Sequence, residues 1–198
     1  MSAQKTQAPS RRPARELLLE AAAELFYANG VAGTGIDAIT AEAGVAKKSL
    51  YNNFASKADL VAAYLEARHA EWLDLYSARA ATAANPSERV LAVFDAYADH
   101  ANSAYRHGFR GCGLLNAAAE FPAGDGGRDA VRRHKEDVEE LLAAAVRELL
   151  PETQERAAEV ARHLAFLLEG SMARAGLEGD DTRLRDARRI AVEILAAL

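Results

Sequence analysis

The sequence predicts an all-α protein of about nine helices, and three observations support this prediction. Half of the 198 residues are hydrophobic, with Ala and Leu dominating, and these two residues favour helix. No run of β-branched residues occurs, and no segment alternates apolar and polar side chains as a strand would. Apolar residues instead recur at helical spacing, as they do at Leu18, Ala22, Leu25 and Phe26 in a first helix over about residues 11–29.

Turn and cap residues divide the chain into further helices. Asn29-Gly30 ends the first helix, and Asn85-Pro86-Ser87-Glu88 provides an N-cap, a proline at the first position and a glutamate in the first turn. The later helices are predicted over about 36–43, 46–53, 57–81, 86–106, a short segment within 107–121, 128–150, 152–175 and 182–197.

The most informative stretch is 34–57, TGIDAITAEAGVAKKSLYNNFASK. A short helix directs Ile36 and Ile39 inward, Gly44 permits a tight turn, and Leu50 and Phe54 form the apolar face of a second short helix. Two short helices joined by a glycine turn form a helix-turn-helix, whose second helix carries donor-rich side chains outward to read DNA. The outward set here is Lys47, Lys48, Ser49, Tyr51, Asn52 and Asn53.

The charge distribution agrees with this interpretation although the whole chain has a net charge of −5. Residues 1–57 hold seven Lys and Arg against five Asp and Glu, while 58–198 hold 17 against 24. Since contacts to phosphate are local, an acidic body with a basic N-terminal segment can still bind DNA.

The run from Gly44 to Lys57 resembles the recognition-helix signature of the TetR family of transcriptional regulators, with its Gly-Val turn, Leu-Tyr pair, Phe and Ser-Lys pair. Ala28-Asn29-Gly30 followed by Thr34 is similar to the link that precedes it. The resemblance implies a three-helix DNA-binding head over 11–56, after a flexible arm over 1–10, and a ligand-binding and dimerisation body over 57–198. Gly35 and Thr40 depart from the pattern, at a helix cap and at an inward position.

The resemblance also implies roles for individual residues. Thr34, Tyr51 and Lys57 are expected to contact phosphates, Lys47, Lys48, Ser49 and Asn52 to contact or approach bases, and Asn53 to lie at the groove edge. The alternative is that the polar face is merely solvated. Arg11, Arg12 and Arg15 add either minor-groove or phosphate contacts, or belong to a solvated arm.

A dimer is expected because one recognition helix reads only a few base pairs, so two half-sites of palindromic double-stranded DNA are needed. The last two helices, about 152–175 and 182–197, carry apolar stripes suited to dimerisation. The stripes are Val160, Leu164, Leu167, Leu168 and Met172, and Leu184, Ala191, Ile194, Leu195 and Leu198. Both stripes could instead form the core of a single chain, and the resemblance implies a four-helix interface with a second copy in which part of each stripe serves each purpose.

The middle of the body carries most of its aromatic residues, and the resemblance implies a pocket there for an unknown small apolar or amphipathic effector. The candidate lining is Tyr97, Phe109, Cys112, Asn116, Glu120, His163 and Phe166. For the aromatic residues the alternative is ordinary core packing. Cys112 is either a reactive thiol, opened by its flanking glycines and activated by Arg110, or a small buried hydrophobe.

The sequence indicates no enzyme, no cofactor and no metal. The five histidines lack paired ligand spacing, and Gly124-Asp125-Gly126-Gly127 lacks the Lys-Ser/Thr of a phosphate loop. We expect Arg132-Arg133-His134-Lys135 to be a solvated helix face. The polar N-terminus and the single cysteine are typical of a cytoplasmic protein without membrane contact. The prediction is therefore a ligand-responsive, homodimeric repressor, and the alternative is a helical ligand-binding module that no longer reads DNA.

Overall fold

The computed structural model describes residues 12–103 and 105–198. The predicted arm over 1–10 and Arg11 lie outside these residues. Within the described ranges the chain forms nine helices and no strand, so the predicted all-α class is confirmed. The helices are α1 (Ala14–Asn29), α2 (Ile36–Glu42), α3 (Lys47–Asn53), α4 (Lys57–Ala80), α5 (Pro86–Ala101), α6 (Gly113–Ala119), α7 (Gly126–Leu149), α8 (Gln154–Glu178) and α9 (Thr182–Ala196). None of the helices described is long and apolar enough to cross a membrane.

The chain packs as two compact units, residues 1–61 and 62–198, and the division falls inside α4. In the first unit α1 packs against α2 and α3, which also pack against each other. The core between them is formed by fully or nearly fully buried side chains: Leu18, Phe26, Ile39, Leu50, Phe54 and Leu60. Burying large apolar side chains in this way contributes roughly 1.5–3 kcal/mol each.

In the second unit α5, α7, α8 and α9 pack around a common core, since α7 and α9 each contact both α5 and α8. Its core contains fully buried apolar residues from four helices: Val93, Leu142, Leu164, Leu168, Met172 and Leu184. Most members of the two predicted apolar stripes of α8 and α9 are thus buried within the chain itself. For those residues the structure supports core packing rather than an interface with a second copy.

The helix cap predicted at Asn85 is present at the start of α5. The side chain of Asn85 accepts a hydrogen bond from the backbone N–H of Glu88 at 2.9 Å, and the Glu88 carboxylate accepts one from the N–H of Ala84 at 2.7 Å. Ser56 and Asp59 form a similar reciprocal cap at the start of α4, with distances of 3.1 and 3.0 Å. These bonds satisfy backbone donors that the first turn of a helix leaves without partners.

Two helices end elsewhere than predicted. α5 stops at Ala101 rather than near 106, because the side chains of Asn102 and Ser103 bond back to the carbonyls of Ala98 and Asp99 and compete with further helix. α8 continues through Gly176 to Glu178. A Cβ at Gly176 would lie 2.7 Å from the Cα of Gly111, so the glycine allows a close approach of two backbone segments there.

Candidate functional site

The α2–α3 turn is built by local backbone bonds. The N–H of Gly44 donates to the carbonyl of Ala41 at 3.2 Å, and the N–H of Val45 donates to that of Thr40 at 3.1 Å. Gly44 has φ of +64°, the left-handed conformation that the turn requires and that glycine adopts without strain. Leu50 and Phe54 are buried beneath α3. The helix-turn-helix expected from the sequence is therefore present, with α3 anchored by its apolar side.

The opposite side of α3 presents polar side chains. Lys47, Lys48, Tyr51 and Asn52 are exposed and follow one another at i, i+1, i+4 and i+5, so they share one side of the helix. We call this set the α3 face. Ser49 and Asn53 are half-buried, and the amide of Asn53 donates to the carbonyl of Ser49 at 2.7 Å. The structure thus brings four of the predicted contact residues together and holds Asn53 against its own helix.

Thr34 and Lys57 serve the link between α1 and α2. The Thr34 side chain is only 3% exposed, and its hydroxyl lies 2.7 Å from the carbonyl oxygen of Gly30 and 3.2 Å from that of Leu25. The Lys57 ammonium donates to the carbonyl of Val31 at 2.6 Å. Both side chains therefore position this link, and the Lys57 ammonium keeps two further N–H donors beyond the one bound to Val31.

The departures at Gly35 and Thr40 have local consequences. Gly35 occupies the N-cap position of α2 and, because it has no side chain, forms no side-chain capping hydrogen bond. Thr40 is buried, and its hydroxyl donates to the carbonyl of Asp37 at 3.1 Å, so the inward polar group has a partner.

Two of the three arginines proposed for DNA contact have partners within the chain. Arg12 pairs with Glu20, and Arg15 lies over the ring of Phe54 at 5.2 Å from its centroid.

The predicted pocket residues divide into two groups. Tyr97, Phe109 and Cys112 are buried, and the amide of Asn116 donates to the carbonyl of Arg110 at 3.0 Å. Glu120, His163 and Phe166 lie at the surface of the chain, Phe166 with 65% of its area exposed. The glycines beside Cys112 do not open it to solvent, because its thiol is covered in the fold.

A partly buried polar cluster lies in the second unit, and the sequence analysis missed most of it. The Lys135 ammonium lies 2.8 Å from a carboxylate oxygen of Glu169, 3.1 Å from the hydroxyl of Tyr97 and 3.6 Å from the sulfur of Cys112. We call these four residues the Lys135 cluster. Lys135 also lies over the Tyr97 ring, 5.2 Å from its centroid.

Aromatic and imidazole rings surround the Lys135 cluster. Trp72 packs edge-on against Tyr97 and His134, with centroid distances of 5.3 and 5.4 Å. His134 is buried, and its Nδ1 lies 3.0 Å from Nδ1 of His69, so one ring donates and the other accepts. The expectation that residues 132–135 form a solvated face is wrong for His134 and Lys135, because both turn inward on α7.

Burial sets the charge states in this region. It lowers the pKa of His134 to about 3 and that of His100 to about 4, and nearby positive charge, including Lys135, adds to both shifts. Burial also opposes the charged form of Lys135, but Cys112, Tyr97 and Glu169 outweigh it and raise its pKa above the ordinary value. At neutral pH the imidazoles of His134 and His100 are therefore uncharged, while Lys135 keeps its charged ammonium. Across residues 12–103 and 105–198, no group of three or more His, Cys, Asp or Glu could hold a metal.

Comparisons with known proteins agree with both units. The sequence model described as bacterial regulatory proteins, tetR family, matches residues 18–64. The model described as tetracyclin repressor-like, C-terminal domain, matches residues 86–191. No curated protein sequence matches the chain.

Solved structures resemble the chain over nearly its whole length. SCO4454, a TetR-family transcriptional regulator from Streptomyces coelicolor, is 31% identical, with a TM-score of 0.80 over 94% of this chain and 96% of that one. A TetR transcriptional regulator from Chloroflexus aurantiacus is 24% identical, with a TM-score of 0.77 over 92% and 94%. NemR of E. coli in its reduced form is also 24% identical, with a TM-score of 0.73 over 91% and 96%. The helix-turn-helix, the all-helical second unit and these matches together show that the chain belongs to the TetR family of DNA-binding transcriptional regulators, which are not enzymes.

Proposed function

We propose that this protein is a homodimeric repressor that binds a palindromic operator and is released from it by a small molecule. The observation that carries the proposal is the α3 face, in which Lys47, Lys48, Tyr51 and Asn52 are exposed while Leu50 anchors the helix. A rigidly held helix with lysine and amide donors on its outer side fits the major groove. As a regulator of bacterial DNA, it would act in the cytoplasm.

Two kinds of DNA contact follow from side-chain chemistry. Asn52 carries the amide that pairs with an adenine edge, and Lys47 and Lys48 carry ammonium groups for guanine or phosphate. Tyr51, which is 52% exposed, has a hydroxyl suited to phosphate. Ser49 and Asn53 are less accessible and would contribute at the edge of the contact. Thr34 and Lys57 would support phosphate binding mainly by holding the α1–α2 link.

The second copy would dock on α8 and α9. Phe166 and Leu177 of α8 are eleven residues apart, close to three full turns, and are 65% and 85% exposed. Ile190 and Val192 add exposed apolar area on α9, which packs against α8. Large apolar side chains exposed on adjacent helices favour an interface, and a second copy of the same chain gives the symmetric dimer that a palindrome requires.

An effector would act through α4. Trp72 and His69, which lie beside the Lys135 cluster, belong to α4, and the same helix begins at Lys57 in the first unit. A molecule that binds beside Trp72 can therefore bias the position of a helix shared with the DNA-binding unit. Release from DNA follows only if the molecule binds the DNA-free arrangement more tightly.

The proposal is tested by selection from random duplex DNA followed by fluorescence anisotropy at several salt concentrations. We expect one palindromic consensus, and an affinity for it that falls steeply as salt rises, since lysine contacts release counterions. Asn52→Ala is the test variant, and Glu24→Gln, which changes an exposed residue of α1, is the control. Failure to enrich any sequence would favour the alternative, a ligand-binding module that does not read DNA.

A further inference from the structure

A carboxylate lies at the edge of the α3 face. Oδ1 of Asp37, the second residue of α2, is 2.7 Å from Nζ of Lys47, and the Asp37 side chain is 81% exposed. Asp37 thus reaches the tip of a lysine proposed to contact DNA, although it belongs to the other helix of the helix-turn-helix. The carboxylate keeps further lone pairs and the ammonium keeps two further N–H donors, so each can bind a second group.

A carboxylate at this position restricts what the α3 face can bind. It is repelled by every phosphate, so on its own it weakens binding to DNA of any sequence. It gains a favourable contact only where a base edge offers it an N–H group. In the major groove those groups are the N4 amino group of cytosine and the N6 amino group of adenine.

The ion pair has the spacing of the edge of a base pair. In a G·C pair, guanine O6 accepts a hydrogen bond from cytosine N4, so an acceptor and a donor lie side by side at about 2.9 Å, an ordinary hydrogen-bond distance. Lys47 and Asp37 hold a donor and an acceptor 2.7 Å apart. The ammonium can therefore face O6 and N7 of guanine while the carboxylate faces the remaining N4–H of the paired cytosine.

The other base pairs fit this ion pair less well. Thymine O4 beside adenine N6 repeats the order of acceptor and donor, but thymine offers a methyl group where guanine offers the second acceptor, N7. The reversed pairs, C·G and A·T, place an amino group against the ammonium and a carbonyl oxygen against the carboxylate. Such repulsive contacts are a means by which an interface rejects a competitor.

We infer that the Lys47–Asp37 ion pair reads one G·C base pair in each half-site of the operator, with Lys47 on guanine and Asp37 on cytosine. This inference deepens the proposed function, on which it rests for the binding of DNA by the α3 face. It makes Asp37 of α2 a residue that determines sequence specificity, and it assigns Lys47 to a base rather than to a phosphate.

The test is selection from random duplex DNA with the wild type, Asp37→Ala and Lys47→Ala, followed by fluorescence anisotropy on the selected operator and on operators changed at one base pair. Alanine is used because asparagine would keep an acceptor oxygen. We expect a G·C pair at one position of each half-site, and its preference over C·G should fall at least about fivefold in Asp37→Ala. Lys47→Ala should relax the same position. Because Asp37 is exposed, its replacement should leave the fold intact, which circular dichroism checks.

Glu24→Ala, which truncates an exposed carboxylate on α1, is the control and should leave the consensus unchanged. An unchanged consensus in Asp37→Ala, or relaxation of different positions in Asp37→Ala and Lys47→Ala, would overturn the inference. A wild type that selects no sequence contradicts the proposed function instead. A consensus that survives Asp37→Ala but is relaxed by Asn52→Ala supports the proposed function and contradicts only the reading of cytosine by Asp37.

Discussion

The ammonium of Lys47, the first residue of α3, lies 2.7 Å from the carboxylate of Asp37 in α2. Both side chains are more than half exposed, and the hydrogen bond and charge of Asp37 raise the pKa of Lys47. An exposed ion pair contributes only about 0–1 kcal/mol, so a DNA phosphate can compete for the lysine. Asp37 is therefore paired with one of the predicted contact residues in this structure.

Asp37→Asn should raise affinity for DNA of any sequence by about fivefold at low salt, because it frees Lys47 and removes a negative charge near the phosphates. Anisotropy with operator and random duplexes measures this. Glu24→Gln makes the same charge change at an exposed residue of α1 and should raise DNA affinity by a smaller factor. In a Lys47→Ala background most of the gain should vanish. A gain that persists there would show that Asp37 does not act through Lys47.

Lys57→Met should lower the free energy of unfolding by about 1 kcal/mol, since the Val31 carbonyl loses its 2.6 Å donor. DNA binding should weaken about equally for all sequences. Chemical denaturation and anisotropy together measure both effects. Lys48→Met, an exposed change on the α3 face, should weaken DNA binding without loss of stability. If the stability of Lys57→Met matched that of the wild type, the positioning role would be wrong.

Acid should destabilise the second unit before most carboxylates are protonated. His134 and His100 have pKa values of about 3 and about 4 in the folded chain, below the ordinary 6.5, so the unfolded chain binds more protons below that value. The stability that these two uncharged imidazoles contribute is fully present above about pH 6.5. It is lost as pH falls to about 4 for His100 and about 3 for His134. The free energy of unfolding falls by at most about 1.4 kcal/mol per group and pH unit in this window.

Denaturation curves between about pH 7 and pH 5 measure this slope. His134→Gln should flatten it, even if the variant is less stable throughout. His107→Gln, on an exposed histidine, should leave the slope unchanged. An equal slope in His134→Gln and the wild type would mean that the buried imidazole is not the source.

In the proposed dimer a second copy covers Phe166, which is 65% exposed in the single chain, so Phe166→Glu should give a folded monomer. Light scattering after size-exclusion chromatography gives the mass. Leu115→Glu places the same charge at an exposed apolar residue of α6 and should remain dimeric. A dimer that survives Phe166→Glu would place the interface elsewhere.

The helix-turn-helix could be predicted from the sequence because its determinants are local. Gly44, Leu50 and Phe54 lie within eleven residues, and their spacing fixes both the turn and the buried side of α3. The pairing of Lys47 with Asp37 could not be predicted, since it depends on the angle between two helices. Asn102 and Ser103 carried a local signal for the early end of α5, which the apolar pattern obscured.

The Lys135 cluster could not be assembled from sequence, because Tyr97, Cys112, Lys135 and Glu169 meet only through packing of α5, the start of α6, α7 and α8. One signal was nevertheless available. Val131, His134 and Val138 recur at i, i+3 and i+7 and are all buried, so the helical period placed His134 on the apolar side of α7. The run of basic residues at 132–135 made this side resemble a solvated one.

Selection from random duplex DNA with the wild type and Asn52→Ala tests the central claim, that the α3 face reads DNA sequence, most directly. We predict a palindromic consensus for the wild type with half-site centres about 34–36 Å apart or a multiple of that distance. For Asn52→Ala we predict the same consensus with preference relaxed at one position in each half-site, at a cost of about 1–3 kcal/mol for the original base. An unchanged consensus in the variant, with full preference at every position, would contradict the claim.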